Sequence, residues 1–496
     1  MLAMLLGLLV ICVVCLILLL VLRTKASYGH IPGPPMHCFP VNNGSLSIAN
    51  VDKALAKMQE YYKRYGNILH LNVFGVNWVV LSDLESIRFV MRDRESFPND
   101  GNFRKALTHN MGRSMFASEG DIWKEKHSII LPLMSQKMME HSTIVVQNKA
   151  QQLIDAIHRD LESTKAGQES IEFVSLMKRF TIDVIGEMAF GVDFQALSAE
   201  QRKYGGYSFS ELASSQLDGI NARLMIPTLL WSLPLPVFKK EKQAAAIIKG
   251  MFDGVVEQTK ATLDAGEEST NLPGLILKAR ESDPHVAANI YPREDILGEC
   301  FSVWGAGHDT TTYTCAHVIK LLAIHQNVQA KLRKEIMALD ESLNGIAPNF
   351  SEINHCVYLN AVIKEAQRLY PLAPFFLREC SHDTVIQGKQ IPKNTTLIAN
   401  IYALQTSKEY FESPMEYKPE RWVEDSNLPF LTFGMGKRSC FGKKLALLEI
   451  KLMVFYVLKN FQIEDDSSQH PHVCELNFGY VPKGKKMQVT LTPLRE

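Results

Sequence analysis

Three glycines surround a single cysteine in the segment Phe433–Gly442, whose sequence is FGMGKRSCFG. Glycine loses more chain entropy on folding than any other residue, so this density of glycine indicates a backbone that must approach something closely. Apolar residues at helical spacing follow over 443–460 and predict a helix there. Cys440 therefore precedes a helix N-terminus, where free amides and the helix dipole favour an anion and lower a thiol pKa. The segment predicts a thiolate ready to bind a metal, with a structural cysteine in a glycine-rich turn as the alternative.

Composition excludes several classes of protein. The 53 Lys and Arg residues balance the 53 Asp and Glu residues, so the chain lacks the charge of a general nucleic-acid binder. The nine cysteines are odd in number and scattered, as is typical of a reducing compartment rather than a secreted disulfide scaffold. With 496 residues, 46% of them hydrophobic, the chain can bury a large core. We expect most of it to face the cytosol.

The first 22 residues contain no charged side chain. At about 1.5 Å per residue they are long enough for the ~30 Å hydrocarbon core of a bilayer. A cleaved signal peptide is the alternative, but the apolar run is long, lacks a basic start and is followed by Arg23 and Lys25. Those cations favour a cytosolic location for the downstream chain. We predict a transmembrane anchor over 1–22, a basic and proline-rich linker over 23–35, and one large domain over 36–496.

The predicted body is mainly α with small β-sheets. Helix formers with apolar spacing of three to four residues dominate from 124 to about 260 and from 294 to 370. Two strand-like runs around Gly-Val-Asn predict a hairpin over 66–82. The proline-rich apolar run 226–238 is too short to span a bilayer. It is either buried core or a loop that dips into a membrane surface.

The fixed positions of F-x-x-G-x-R-x-C-x-G are all present in Phe433–Gly442, and on this motif the chain resembles the cytochrome P-450 superfamily. The resemblance implies a P-450 fold behind one N-terminal transmembrane helix, with 36–496 as the haem-thiolate catalytic domain. It implies that Cys440 is the proximal ligand of the iron in haem b (iron protoporphyrin IX) and that Arg438 pairs with a haem propionate. It also places three further residues against the cofactor: Phe433, Gly434 and Gly442. A zinc site is a poor competitor, because no second Cys or His lies at ligand spacing near Cys440.

Two further segments match the family's structural motifs. Residues 365–368 fit its E-x-x-R helix, and residues 419–422 fit its P-E-R-F pattern with Trp in place of Phe. By resemblance, Glu365, Arg368 and Arg421 form an ionic network that braces the haem-side core. A surface pair at this spacing is worth only about 0.2–0.5 kcal/mol, so the E-x-x-R pattern alone would mean little. Gln405 stands where many members have His, and no consequence follows from the sequence.

Trp123 and Arg378 complete the haem contacts by resemblance. The arginine that the family's W-x-x-x-R helix leads us to expect is His127 in this chain. A histidine can donate to a propionate but carries full charge only when protonated. Lys124 or Lys126 is the alternative cation.

Residues 306–311, AGHDTT, fit the family's oxygen-binding motif inside a helix predicted from about 295 to 325. Glycine costs about 1 kcal/mol against alanine in a helix, so Gly305 and Gly307 predict a local loosening that makes room for dioxygen and water. An ordinary helix whose threonines bond back to the preceding turn is the alternative. By resemblance, Thr310 hydrogen-bonds the bound oxygen and Asp309 belongs to the proton relay.

The resemblance implies an NADPH- and O2-dependent monooxygenase of the endoplasmic reticulum membrane. No dinucleotide fingerprint of the G-x-G-x-x-G kind follows a strand, so the electrons must come from a partner. We expect NADPH-cytochrome P-450 reductase, with cytochrome b5 as a second candidate, and no nucleic acid. A basic patch would attract an acidic flavoprotein. Its candidate residues are Lys124, Lys126, Lys437, Lys443 and Lys444.

The substrate is expected to be lipophilic, because the pocket positions that the resemblance implies are largely apolar. These positions are Phe103, Phe116, Ala306, Phe375 and Tyr480. The stretches 28–35 and 72–74 are similar to the cholesterol 24-hydroxylase branch, so a sterol or other lipid ranks ahead of fatty acids and xenobiotics. Two alternatives remain: a haem-thiolate isomerase or lyase that needs no reductase, against which Asp309 and Thr310 argue, and a membrane haem protein that binds lipid without turnover.

Overall fold

The computed structural model describes residues 21–35, 53–73, 76–109, 112–163, 170–199, 203–226, 228–465, 474–476 and 479–494, together with Cys12 and Cys15. The anchor predicted over 1–22 therefore lies almost entirely outside the described residues, and so does Phe74. Among the helices that are described, none has both the length and the apolar character needed to cross a bilayer.

The linker predicted over 23–35 packs against the body of the protein. Tyr28 is buried, and its hydroxyl group shares a hydrogen bond of 2.7 Å with that of Thr395. The Tyr28 ring stacks on His70 with 4.5 Å between ring centres, and the amide of His70 donates to the carbonyl oxygen of Pro32 at 2.8 Å. This end of the linker therefore belongs to the fold rather than forming a free spacer.

Helices make up most of the described chain, as predicted. In chain order they are α1 (Ala54–Tyr65), α2 (Leu84–Arg92), α3 (Gly101–Thr108), α4 (Gly120–Ile130), α5 (Gln136–Ser163), α6 (Phe173–Phe190), α7 (Phe209–Met225), α8 (Pro236–Asp264), α9 (Leu272–Ser282), α10 (Arg293–Ile324), α11 (Gln326–Ser342), α12 (Phe350–His355), α13 (Val357–Leu369), α14 (Ile401–Gln405), α15 (Arg421–Glu424) and α16 (Lys443–Asn460). Helices α10 and α16 fall where the apolar spacing predicts them. The helical stretch predicted over 124–260 is in fact several helices, because proline, glycine and short strands interrupt it.

The sheets are small, and the predicted hairpin belongs to the main one. Strands β1 (Ile68–Val73) and β2 (Val76–Leu81) pair antiparallel, with Ile68 opposite Leu81. The other strands are β3 (Ser170–Glu172), β4 (Lys203–Tyr204), β5 (Tyr207–Ser208), β6 (Phe375–Glu379), β7 (Thr384–Ile386), β8 (Lys389–Ile391), β9 (Thr396–Asn400), β10 (Phe461–Glu464), β11 (Cys474–Leu476), β12 (Tyr480–Pro482) and β13 (Gln488–Pro493). Strand β9 joins β2 in parallel and β6 antiparallel, which gives the order β1-β2-β9-β6.

Helix α10 runs through the middle of the molecule and separates two apolar cores. Its C-terminal half packs with α5, α13 and α16, and its N-terminal half packs with α4, α7, α8 and α9. Helix α6 lies along it and contributes to both cores. Residues on α10 are therefore held rigidly, which suits a helix that carries functional side chains.

The proline-rich run 226–238 is a surface feature rather than a core segment. Leu230 is 39% exposed and Leu233 is 45% exposed, whereas Phe238, in the first turn of α8, is buried. The indole nitrogen of Trp231 donates to the carbonyl oxygen of Ile226 at 2.9 Å and so folds the run back on itself. Of the two interpretations left open by the sequence, the exposure of Leu230 and Leu233 favours the surface loop.

Candidate active site: a cysteine loop below a central helix

The cysteine loop, residues 433–442, is shaped by left-handed backbone. Gly434 and Gly436 each have φ of +68°, a conformation that other residues rarely adopt. The amide of Cys440 donates to the carbonyl oxygen of Phe433 at 2.8 Å and closes the loop. Helix α16 then begins three residues after Cys440, as predicted.

Cys440 borders an open side of this loop. Its side chain is exposed, although enough protein surrounds it that burial raises the pKa of the thiol. The amide of Gly442 and the charge of Lys443 lower that pKa, as the sequence predicts, but burial has the larger effect. The predicted net lowering is therefore wrong for the protein alone. A metal bound to the sulfur would supply the missing positive charge, because coordination deprotonates a thiol. A Cβ on Gly442 would meet no atom of the described residues within 4 Å beyond its two chain neighbours, so there is room beside the end of the loop.

Two arginines and a carboxylate surround Trp123, which is buried. The guanidinium carbons of Arg94 and Arg438 lie 4.1 and 4.5 Å from the centre of the Trp123 ring, within cation–π distance. Glu119 joins them, because its Oε2 accepts from Arg94 at 3.3 Å and from Arg438 at 2.8 Å. The predicted haem contacts Trp123 and Arg438 are therefore neighbours. Arg94, which sequence reasoning missed, contacts the Trp123 ring directly and is joined to Arg438 through Glu119.

Arg378 completes this group, called here the guanidinium cluster: Arg94, Arg378 and Arg438. Burial lowers the pKa of Arg378 to about 10, the charge of Glu119 opposes that shift, and the charge of Arg94 adds to it. In each of the three, the Nε atom is buried and has no hydrogen-bond partner among the residues that the structure describes.

The guanidinium cluster carries more positive charge than the protein balances. Within the described part of the chain, Glu119 is the one carboxylate in salt-bridge contact with the cluster, so three positive charges face one negative charge and two remain in excess. Haem b carries two propionates, which would neutralise that excess and accept from the unpaired N–H groups. The residues present therefore fit the cofactor that the family resemblance implies.

His127 lies among aromatic rings, and its contact with a propionate stays a prediction. Its ring packs against those of Trp123 and Phe441, with ring centres 5.0 and 5.8 Å apart. Burial, and then the charge of Arg94, lower the pKa of His127. Arg94 places a guanidinium group against Trp123, from a position 29 residues earlier that no motif marks.

The lysines predicted as a basic patch divide into two groups. Three of them are exposed in the cysteine loop or at the start of α16: Lys437, Lys443 and Lys444. Lys124 is also exposed but pairs with Asp121 at 2.8 Å. Lys126 is fully buried, and its ammonium group pairs with Asp295 of α10 at 3.2 Å. The predictions that Lys126 joins a surface patch or replaces the missing arginine are therefore wrong, while the same role for Lys124 stays a prediction.

Glu365 is the centre of a buried ionic network. Its two oxygens accept from Arg368 at 2.8 Å each, and one of them accepts from Arg421 at 3.0 Å. The indole of Trp422 donates to the other at 2.8 Å, so the residue that replaces the family's Phe adds a bond. The four side chains that the E-x-x-R and P-E-R-F resemblances bring forward thus meet in one place.

Gln405 connects this network to the cysteine loop. Its carbonyl oxygen accepts from Arg368 at 2.7 Å, while its side-chain oxygen accepts from the amide of Leu431 at 3.0 Å and the hydroxyl of Thr432 at 3.1 Å. Its side-chain nitrogen donates to the carbonyl oxygen of Arg368 at 3.3 Å. An amide has both donors and acceptors, so Gln405 can tie the end of α13 to the residues that lead into the loop.

The oxygen-binding motif lies on an unbroken stretch of α10. Thr310 donates to the carbonyl oxygen of Ala306 at 2.7 Å and Thr311 to that of Gly307 at 3.1 Å, which is the back-bonding alternative. Gly307 is explained by packing, because a Cβ there would lie 2.7 Å from Ile185 of α6. The predicted loosening is therefore wrong at this position. At Gly305 a Cβ would have no atom of the described residues within 4 Å apart from its own turn of α10, so space remains there.

The predicted substrate-contact residues occupy different surroundings. Three have partly or largely exposed side chains: Phe103, Phe116 and Ala306. Phe375 packs against the apolar cluster that includes Met58 and Ile398, whereas Phe376, on the opposite face of β6, comes within 3.7 Å of a Cβ built on Gly434. Tyr480 stacks on Tyr370 with 5.9 Å between ring centres. A shared pocket for these five positions stays a prediction.

Comparison with known proteins identifies the family of this chain. The cytochrome P-450 family model matches residues 32–491. The chain is 29% identical to cytochrome P-450 4e2 of Drosophila melanogaster over 371 residues, 72% of this chain and 69% of that protein. It is 26% identical to cytochrome P-450 monooxygenase 128 of Postia placenta over 480 residues, 88% of this chain and 86% of that protein. It is 25% identical over 467 residues to a Drosophila melanogaster P-450 12d1 protein named as mitochondrial, 88% of this chain and 87% of that protein. The chain therefore belongs to the cytochrome P-450 family, and it is a monooxygenase enzyme whose cofactor is haem.

Proposed function

We propose that this enzyme transfers one oxygen atom of O2 to a lipophilic substrate and takes its electrons from NADPH through a separate flavoprotein. The observation that carries the proposal is the combination of Cys440, at the open side of the cysteine loop, with a guanidinium cluster that has two unbalanced charges. When bound, haem supplies the activation of O2, which a thiolate ligand promotes by donating electron density to the iron.

The residues on the cysteine side would hold the cofactor. Cys440 would ligate the iron, and Gly434 and Gly436 would keep the loop flat enough for close approach. Arg94, Arg378 and Arg438 would bind the propionates. Binding there would neutralise the positive charge that Glu119 leaves unbalanced, which is the main electrostatic gain available at this site.

Asp309 and Thr310 would move protons on the other side of the site. The Thr310 hydroxyl donates to Ala306, so its oxygen can still accept a proton or a hydrogen bond. Asp309 is partly exposed and can exchange protons with water. A carboxylate and a hydroxyl next to each other on one helix can pass a proton from solvent to an oxygen that is being reduced.

A sterol or another lipid is the substrate class we propose first, ahead of fatty acids and xenobiotics. The apolar character of the implied pocket supports a lipophilic substrate. Leu230 and Leu233, exposed in the run 226–238, fit contact with a lipid surface from which such a substrate would enter. The similarity of residues 28–35 to the cholesterol 24-hydroxylase branch points to a sterol.

The proposed location is the endoplasmic reticulum membrane, with a single anchor over 1–22 and the catalytic domain in the cytosol. The uncharged run and the cations at Arg23 and Lys25 support it. In that setting the electron donor would be NADPH-cytochrome P-450 reductase, with cytochrome b5 as a second donor. The exposed Lys437, Lys443 and Lys444 would attract either one.

The first test is optical. The purified protein, reduced and exposed to carbon monoxide, should show the red-shifted Soret absorption of a haem-thiolate. Cys440→Ala should abolish that absorption, while the matched change Cys474→Ala should leave it. A folded protein without porphyrin, or an unchanged spectrum in Cys440→Ala, would refute the ligand assignment.

The second test separates the alternatives. Purified protein with NADPH, reductase and a panel of sterols, fatty acids and xenobiotics should incorporate one oxygen-18 atom from labelled O2 for each NADPH consumed. An isomerase or lyase would instead rearrange a lipid peroxide without reductase. A lipid-binding haem protein would show a spectral shift on binding and form no product.

A further inference from the structure

Residues 112–118, called here the bridging segment, lie between helix α10 and the cysteine loop. The segment connects α3 to α4 and contains one short 3-10 helix, Met115–Ala117. Its chain passes very close to α10, because a Cβ on Gly112, whose φ is +88°, would lie 2.9 Å from the carbonyl oxygen of Glu294. A segment with so little regular structure depends on its neighbours to pair its backbone groups, and those partners fix where it lies.

Two carboxylates of α10 accept from backbone amides of the bridging segment. The Oδ1 atom of Asp295 accepts from the amide of Arg113 at 3.0 Å, and the Oε2 atom of Glu299 accepts from the amide of Met115 at 2.7 Å. Asp295 and Glu299, called here the acid pair, are four residues apart and therefore share one side of α10. The acid pair thus binds the segment at two alternate residues.

Buried donors fix the acid pair in its turn. The ammonium group of Lys126 donates to Asp295 at 3.2 Å and also to the carbonyl oxygen of Arg113. The hydroxyl of Tyr291 donates to Glu299 at 3.1 Å, and the Lys126 nitrogen lies 4.7 Å from the centre of the Tyr291 ring. The side chains of Lys126, Tyr291, Asp295 and Glu299 belong to residues no more than 2% exposed. Solvent and salt therefore screen these interactions little.

Glu299 occupies a position that is costly for a carboxyl group. Burial raises the pKa of Glu299 to about 7, although the charge of Lys126 and the amide of Met115 lower it. Its Oε1 atom is buried and has no hydrogen-bond partner among the residues that the structure describes. A buried carboxyl destabilises the fold unless it makes bonds that an apolar side chain could not make. The bond to the Met115 amide is of that kind.

Arg438 of the guanidinium cluster binds the carbonyl groups of the same segment. Its guanidinium group donates to the carbonyl oxygen of Met115 at 3.3 Å and to that of Ser118. Met115 therefore bonds to α10 through its amide and to the cysteine loop through its carbonyl oxygen. These two groups are separated by a single Cα atom, so a shift of Met115 away from Glu299 also moves the acceptor of Arg438.

We propose that Asp295 and Glu299 are positioning residues for the cofactor, which hold the bridging segment so that its carbonyl oxygens orient Arg438 toward a haem propionate. The proposal rests on the assignment of the propionates to the guanidinium cluster. The acid pair is not part of that cluster, so its effect on haem passes through the backbone of residues 113–118. Weakening the acid pair is expected to loosen the segment and, as a consequence, the haem.

The first test measures the segment itself in the haem-loaded protein. Glu299→Leu removes the acceptor of the Met115 amide, whereas Glu299→Gln keeps an oxygen there. Glu294→Leu is the matched control, because Glu294 is an exposed carboxylate of the same helix. We expect the amides of 113–118 to exchange with deuterium roughly 10- to 150-fold faster in Glu299→Leu, the range for loss of a hydrogen bond to a charged group. Exchange in Glu299→Gln and Glu294→Leu should stay close to the wild-type rate. Unchanged exchange in Glu299→Leu would overturn the proposal.

The second test follows the haem in the same variants. Haem should pass to excess apomyoglobin about tenfold faster from Glu299→Leu than from the wild type, a typical effect of losing a group that orients a direct ligand contact. Glu299→Gln should restore most of the difference. The carbon monoxide spectrum of the haem still bound should match the wild type, because Cys440 is unchanged. A segment that loosens without faster loss of haem would refute the connection through Arg438.

A milder variant covers the case in which Glu299→Leu does not fold. Tyr291→Phe removes only the hydroxyl that donates to Glu299, and it should produce both effects at smaller size. Wild-type exchange and wild-type haem loss in Tyr291→Phe would then count against the proposal. Neither rate depends on turnover, so failure of the wild type to oxygenate any substrate would count against the proposed function alone.

Discussion

Replacing Arg94 by glutamine removes one of the three positive charges of the guanidinium cluster. In the protein, Arg94 contacts the Trp123 ring at 4.1 Å and Glu119 at 3.3 Å, and its side chain is 14% exposed. Arg438 keeps its own contact with Glu119 at 2.8 Å, so the loop geometry should survive the change. The excess of positive charge over Glu119 falls from two to one, and one propionate loses its counter-charge.

The size of the effect follows from the environment of Arg94. A hydrogen bond to a charged group is worth about 1.5–3 kcal/mol, and low exposure limits screening by solvent and salt. Each 1.4 kcal/mol is a factor of ten, so we expect haem to dissociate roughly 10- to 150-fold faster from Arg94→Gln. Because Cys440 is untouched, the carbon monoxide spectrum of the haem that remains bound should be normal.

Transfer of haem to excess apomyoglobin measures this rate directly. The matched control is Arg92→Gln, since Arg92 lies two residues earlier at the exposed end of α2. We expect Arg92→Gln to lose haem at the wild-type rate. If Arg94→Gln did the same, the charge count that assigns the propionates to this cluster would be refuted.

Two further predictions concern the cysteine loop and the central helix. Replacing Lys437 and Lys444 by Glu should slow reduction of the haem by the flavoprotein about tenfold at low salt, and less at high salt. The same replacement at the exposed Lys242 and Lys249 of α8 should leave the rate unchanged. Equal reduction rates for the two variants in stopped-flow measurements would refute the proposed docking patch. Lys443 is left unchanged because it lies 5.5 Å from the Phe433 ring. On α10, Gly307→Ala should lower stability by about 1–2 kcal/mol through its clash with Ile185, while Gly305→Ala, with open space around it, should raise stability by about 0.5–1 kcal/mol. Thermal unfolding distinguishes the two, and equal midpoints would contradict the packing explanation.

The parts of the site that sequence predicts are those defined by local order. The cysteine loop and α16 are adjacent in the chain, and glycine density with apolar spacing is enough to place Cys440 before a helix. The hairpin of β1 and β2 follows for the same reason. The Glu365 network joins distant segments, and only resemblance to a family brought its members together in advance.

The parts that sequence does not predict depend on contacts between distant segments. Arg94 and Gln405 stand in no motif, and each acquires its role from neighbours at least 25 positions away in the chain. Gly307 shows the same limit, because its reason is a side chain on α6 rather than a need of α10 itself. The pKa of Cys440 depends on how much protein surrounds it, which helix-terminus reasoning leaves out.

Arg438 has partners beyond Trp123 and Glu119. Its guanidinium group also donates to the carbonyl oxygens of Met115, at 3.3 Å, and Ser118, and Phe116 lies between those two residues. The side chain that would bind a propionate thus also fastens the loop that carries a candidate substrate contact. Removing the Arg438 side chain would therefore free residues 115–118 and take away a propionate partner at once, so loss of haem and movement of this loop should appear together in such a variant.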